Sequence, residues 1–131
     1  MKLLLIITAA LESVTGLGLL LIPNVVVSNL LGVSLDSSAG FVVGRIGGAA
    51  LVAVAIICWQ SRSGERGGPS TGVVEALLFY NFAAMAVLAY AGIRLELRST
   101  LLWPVIVLHF GLGVWCMLNI AFTLRKLANA K

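Results

Sequence analysis

The sequence predicts an all-α integral membrane protein: an antiparallel four-helix bundle with a short interfacial amphipathic helix after the first span. Three observations carry that prediction. Hydrophobic residues make up 60% of the chain and charged residues 11%, with a mean hydropathy of +1.08. A soluble domain of this size needs a far more polar surface. The apolar residues gather into four runs, each long enough at ~1.5 Å per residue to cross the ~30 Å hydrocarbon core of a bilayer. Pro, Gly, Ser and charged residues separate the runs. Residues 1–131 suit a single transmembrane domain.

The first span is Leu3–Ile22. Lys2 followed by Leu3–Ile7 resembles the start of a secretory signal. The apolar run continues to Ile22, however, and no small-residue cleavage site closes it, which favours a retained helix. Glu12 stands at the centre of this span, near the bilayer midplane. An ionisable group there costs roughly 2.5–3.5 kcal/mol on insertion scales, so it normally faces a partner or a water-filled cavity. On the helical net Thr8, Glu12, Thr15 or Gly16, and Leu19 share a face, with Ala9 and Ser13 beside them. Small and hydroxylated residues of this kind mark a side that packs against other helices.

Pro23 ends the first helix. Asn24–Leu31 then offers a short amphipathic helix, too short to span and suited to the headgroup region. Gly32 is placed to terminate it, because Gly accepts the left-handed conformation. Asp36, Ser37 and Ser38 are candidate N-caps for the next helix.

The second span is Phe41–Gln60. Gly40, Gly44 and Gly48 recur at four-residue spacing, forming a stripe that lets another backbone approach closely, in the same protomer or a neighbouring one. Arg45 lies one position off the stripe. Trp59 and Gln60 mark the far interface. Ser61–Thr71 is a loop dense in Gly, Ser and Pro that carries Arg62, Glu65 and Arg66. The third span, Val73–Ile93, holds Tyr80 and Asn81 well inside it. Arg94–Thr100 is a short charged connection. The fourth span is Leu101–Leu124, with Pro104 in its first turn, where a missing N–H does little harm. His109, Gly113 and Cys116 share one of its faces.

Orientation follows from the basic residues. Lys2, Arg62, Arg66, Arg125, Lys126 and Lys131 share one side of a four-span chain, against Arg94 and Arg98, with Arg45 just beneath, on the other. The positive-inside rule places both termini in the cytoplasm of a multi-pass inner-membrane protein.

Depth decides which polar groups can meet. Measured from the non-cytoplasmic boundary, Arg45 lies about 6 Å deep, His109 about 12 Å, Glu12 about 15 Å and Asn81 about 18 Å. Glu12, Arg45, Asn81 and His109 are therefore the candidate buried polar cluster or ligand site. A Glu12–Arg45 pair is one arrangement, with burial penalties favouring it. In the other, Arg45 snorkels to the headgroups and Glu12 stays protonated as a hydrogen-bonding neutral acid. Gly40, Gly44, Gly48 and Gly113 are the candidate helix-packing positions.

Several chemistries are excluded or disfavoured. There is no Gly-rich phosphate loop, no zinc spacing of cysteines and no nucleophile elbow. No metal site and no catalytic residue is assigned, and an enzyme is the less favoured reading. The net charge of +4 is divided between two membrane faces and is no nucleic-acid footprint. Cys58 and Cys116 differ in depth by about 9 Å, beyond normal disulfide separation. The single histidine excludes bis-His haem ligation within one protomer. A single-ligand tetrapyrrole stays open, with a structural histidine preferred because a tetrapyrrole also needs a large cleft.

The order of segments includes LLLIP (residues 19–23), GRIGGAAL (44–51), WQSR (59–62), LLFYNFAAMAVL (77–88) and WPVIVLHFGLG (103–113). Together these resemble the small four-helix bacterial membrane proteins grouped as DoxX-like, over nearly the whole chain. That resemblance implies a four-span inner-membrane protein and no established reaction, and Glu12 belongs to none of its motifs. Glu12 alone is similar to the embedded first-helix Glu of the small multidrug transporters, which exchange protons for cations. Those chains are shorter, lack the Pro–amphipathic segment, and carry an aromatic-rich second and third helix that is absent here.

Three functions fit these residues. The leading one is a non-enzymatic oligomeric or accessory subunit, a homo-oligomer or part of a larger membrane complex, assembled through its Gly-lined faces. The second is a small proton-coupled transporter in which Glu12 titrates. The third is a binder of a lipid, quinone or tetrapyrrole. The lipid bilayer is the environment common to all three.

Overall fold

The computed structural model describes residues 1–62 and 71–129. The 61–71 loop, with Glu65 and Arg66, therefore falls largely outside the described residues, as does Lys131. Five helices follow in order: α1 Lys2–Leu21, α2 Pro23–Leu31, α3 Ser38–Ser61, α4 Thr71–Arg94 and α5 Leu102–Asn129. The described residues contain no strand. The four long helices are each long and apolar enough to cross a membrane. Their outward faces expose Leu17, Val43, Phe79, Val107 and Phe122. Such a coat is costly in water and suited to lipid.

Local chemistry sets the boundaries. Pro23 occupies the first turn of α2, where its missing N–H is no loss. Gly32 closes α2 in the left-handed conformation at φ 76°, its N–H donating to the Ser28 carbonyl. Ser37 caps α3, its hydroxyl accepting from the Gly40 N–H at 3.0 Å. This cap starts α3 earlier than the apolar run alone predicts. At the other extreme α5 continues to Asn129, past the expected end at Leu124, because Arg125, Lys126, Leu127 and Ala128 are strong helix formers.

The helices associate as two antiparallel pairs. α1 lies along α3 and α4 lies along α5. The first pair touches backbone to backbone at Gly16 and Gly48. A Cβ built on Gly48 would lie 2.7 Å from the Gly16 carbonyl oxygen and 2.8 Å from the Leu20 nitrogen. Only a residue without a side chain permits that approach. Gly44 faces Pro23 and Leu35, and Gly40 faces Leu35 and its own cap Ser37. The glycine stripe of α3 is thus covered within the protomer by α1, α2 and the segment after it. In the second pair, Gly113 of α5 receives the Phe82 ring of α4, which also meets Phe110 edge to face at 6.4 Å.

The two pairs meet at the end that carries both termini. Leu4, Leu5 and Ala9 of α1, Cys58 of α3, Val74 and Leu77 of α4, and Leu112 and Cys116 of α5 form one buried cluster there. Both cysteines are free. Arg62 at the same end lies 3.5 Å over the Trp59 ring and donates to the Trp59 carbonyl. Toward the opposite end the pairs diverge. α2 and the 95–101 connection close that end, tied together by the Ser99 hydroxyl donating to the Asn29 carbonyl. The Leu35 N–H donates to the Asn24 side chain at 2.8 Å and folds the following segment back.

Candidate functional site

Where the pairs diverge, they leave a cleft of about 630 Å³. That lies within the ~300–1,000 Å³ usual for small-molecule sites. Its walls come from every helix: Leu19 of α1, Val26 of α2, Leu51 of α3, Leu88 of α4 and Leu108 of α5 are representative. Nearly all the lining is aliphatic. Besides Thr15 on α1 and Asn29 on α2, the polar lining is Glu12, Tyr80 and His109, which lie together next to the packed core.

These groups are joined to one another. The Tyr80 hydroxyl donates to Glu12 Oε2 at 3.2 Å, bridging α1 of one pair and α4 of the other. The Tyr80 ring meets the His109 ring edge to face at 5.7 Å. His109 Nδ1 lies 3.0 Å from Asn81 Oδ1. Asn81 Nδ2 donates to the Leu77 carbonyl at 2.8 Å. Glu12 is 4% exposed and Asn81 1% exposed, so both depend on these partners.

The chain of bonds fixes the tautomer of His109. The Leu77 carbonyl can only accept, so the Asn81 atom facing it is the amide nitrogen. Asn81 therefore turns its oxygen to His109. An amide oxygen can only accept in turn, so Nδ1 is the protonated nitrogen of His109. In the neutral ring Nε2 is then a lone-pair acceptor.

Of the four residues proposed for the buried cluster, the fold brings Glu12, Asn81 and His109 together and leaves Arg45 out. Among the described residues Arg45 makes no hydrogen bond or ion pair, and it is exposed on α3. The Glu12–Arg45 pairing is therefore corrected. Close packing at Gly48 turns that edge of α3 toward α1 and carries Arg45 away from the interior. The depth ladder missed Tyr80, although its hydroxyl lies within about one helical turn of the Glu12 level. A phenol in mid-span, adjacent to an asparagine, was the available signal. Gly16 was similarly overlooked as the counterpart of Gly48.

The chain was compared with protein-family models, characterised proteins and solved structures. None matches.

Proposed function

We propose that this protein binds a lipophilic small molecule within the membrane, in the cleft between its two helix pairs. The carrying observation is the combination of a largely aliphatic cleft with a connected polar group of Glu12, Tyr80 and His109 at its inner edge. A closed structural bundle gains nothing from keeping its helix pairs apart, because unfilled space forfeits dispersion contacts along every wall. A ligand with an apolar body and a polar end restores those contacts and meets the polar edge.

The oligomeric or accessory subunit is the weaker reading, since the glycine face that suggested it is occupied within the protomer. Transport through Glu12 would need an aqueous route, and the cleft walls are aliphatic. The proposed setting is an inner membrane with both termini cytoplasmic. It is supported by Lys2, Arg62, Arg125 and Lys126 at the terminal end, against Arg94 and Arg98 at the other.

The test fills the cleft. Ala84 lines it on α4, and Ala84→Phe would occupy the space a ligand needs. Native mass spectrometry of the wild type released from phosphatidylcholine nanodiscs, after incubation with long-chain lipophiles, is expected to show a stoichiometric adduct. Ala84→Phe should lose it. An adduct retained at wild-type level in the folded variant would overturn the reading.

A further inference from the structure

The polar edge of the cleft specifies the chemistry of what enters it. Two of its atoms have no hydrogen-bond partner among the described residues: His109 Nε2 and Glu12 Oε1. Neither is sealed off. The fully buried polar side-chain atom that lacks a partner there is Thr8 Oγ1, a turn away on α1. Both open atoms belong to residues lining the cleft, so a bound molecule is what can satisfy them.

Resting on the binding reading above, we infer that the ligand is a lipophilic alcohol or phenol, its hydroxyl seated between His109 Nε2 and Glu12. In the neutral ring His109 Nε2 is an acceptor, because Asn81 holds the proton on Nδ1. A ligand must therefore donate to it. Carbonyl, ether and ester heads cannot. Glu12 Oε1 accepts when the carboxyl group is ionised and donates when it is neutral. A hydroxyl both donates and accepts, so it serves Glu12 in either state while still donating to His109. An ammonium head serves only the ionised state. Tyr80 is committed as donor to Glu12 Oε2 and holds the carboxyl in place. The rest of the molecule is apolar, matched to walls such as Leu19, Leu88, Val105 and Leu108.

The experiment uses the full chain in phosphatidylcholine nanodiscs and a matched series: dodecanol, its methyl ether and dodecylamine. Affinities are measured by native mass spectrometry, corrected for partition of each probe into empty discs. A buried acceptor left unpaired costs enough to separate two such ligands by about tenfold. Wild-type protein is expected to hold dodecanol at least tenfold more tightly than the ether. His109→Phe should remove that ratio, bringing alcohol and ether to the same affinity. Equal binding of alcohol and ether by the wild type would overturn the hydroxyl assignment and leave the cleft as a general apolar site. Tighter binding of the amine than the alcohol would overturn it in favour of an ammonium. No binding of any probe would overturn this inference and the binding reading together. Should His109→Phe not fold, the wild-type ratio alone decides.

Discussion

Two neighbouring glycines of α3 provide a controlled test of how the first helix pair is built. Gly47 and Gly48 share a helix and a depth, but their surroundings differ. A Cβ on Gly47 meets nothing within 4 Å. A Cβ on Gly48 would stand 2.7 Å from the Gly16 oxygen, 2.8 Å from the Leu20 nitrogen and 2.9 Å from Leu19 Cβ, and two of those atoms are backbone. Ordinary contact begins near 3.4 Å, so α1 and α3 must separate by about 0.7 Å to admit one methyl group. A gap of that size forfeits a quarter to a half of the dispersion well for atoms along the seam, and overpacking of this kind costs about 1–3 kcal/mol. The gain in helix propensity from Gly to Ala, about 0.8–1.0 kcal/mol in water, applies to both positions and cancels in the comparison. Gly48→Ala is therefore expected to be less stable than Gly47→Ala by about 1–3 kcal/mol. Reversible unfolding in mixed micelles titrated with a denaturing detergent, followed by circular dichroism, measures the difference. Equal stability of the two variants would refute the backbone contact at Gly16.

Three further outcomes follow from the same geometry. Nitrogen-15 NMR of the imidazole should show His109 protonated at Nδ1 in the wild type, and Asn81→Ala should convert it to a tautomer mixture; an unchanged spectrum would remove Asn81 as the orienting group. Gly32→Ala places a side chain at φ 76° and against the Arg98 carbonyl oxygen, so it should cost at least ~1–2 kcal/mol. Because the strain falls on the contact between α2 and the 95–101 connection, thiol labelling of a Ser28→Cys reporter should speed up in that background; an unchanged labelling rate would argue against a close-fitting cap. Arg45→Ala should change stability by no more than about 0.5 kcal/mol, and its effect should add to that of Glu12→Gln within roughly the same margin. A coupling well above that would restore the ion pair the fold rules out.

The parts of the fold legible in the sequence were those set by local chemistry. The four spans follow from run length and hydropathy, α2 from Pro23 and Gly32, and the start of α3 from the Ser37 cap. What the sequence left open was the rotation of each helix about its axis, and the partner of Glu12 turns on that alone. Depth placed Arg45 within reach of Glu12, because depth is a one-dimensional coordinate readable from residue number. Azimuth is decided by the Gly16–Gly48 contact, a pairing between residues 32 apart in the chain. The glycine stripe was visible, but its partner was not, so intramolecular packing and assembly both fitted it. The cleft was the least legible feature. It arises from the divergence of two helix pairs, and no single segment encodes that divergence. Tyr80 is visible as a mid-span phenol, but its role depends on facing Glu12 across that divergence.

The most direct measurement is a crystal structure grown from a lipidic mesophase containing a bromine-tagged long-chain alcohol. An anomalous bromine signal is expected between the aliphatic walls near Leu19, Val87 and Val105, with the alcohol oxygen within hydrogen-bonding distance of His109 Nε2. Bromine found only against the outer, lipid-facing surfaces, with the two helix pairs closed on each other, would contradict it.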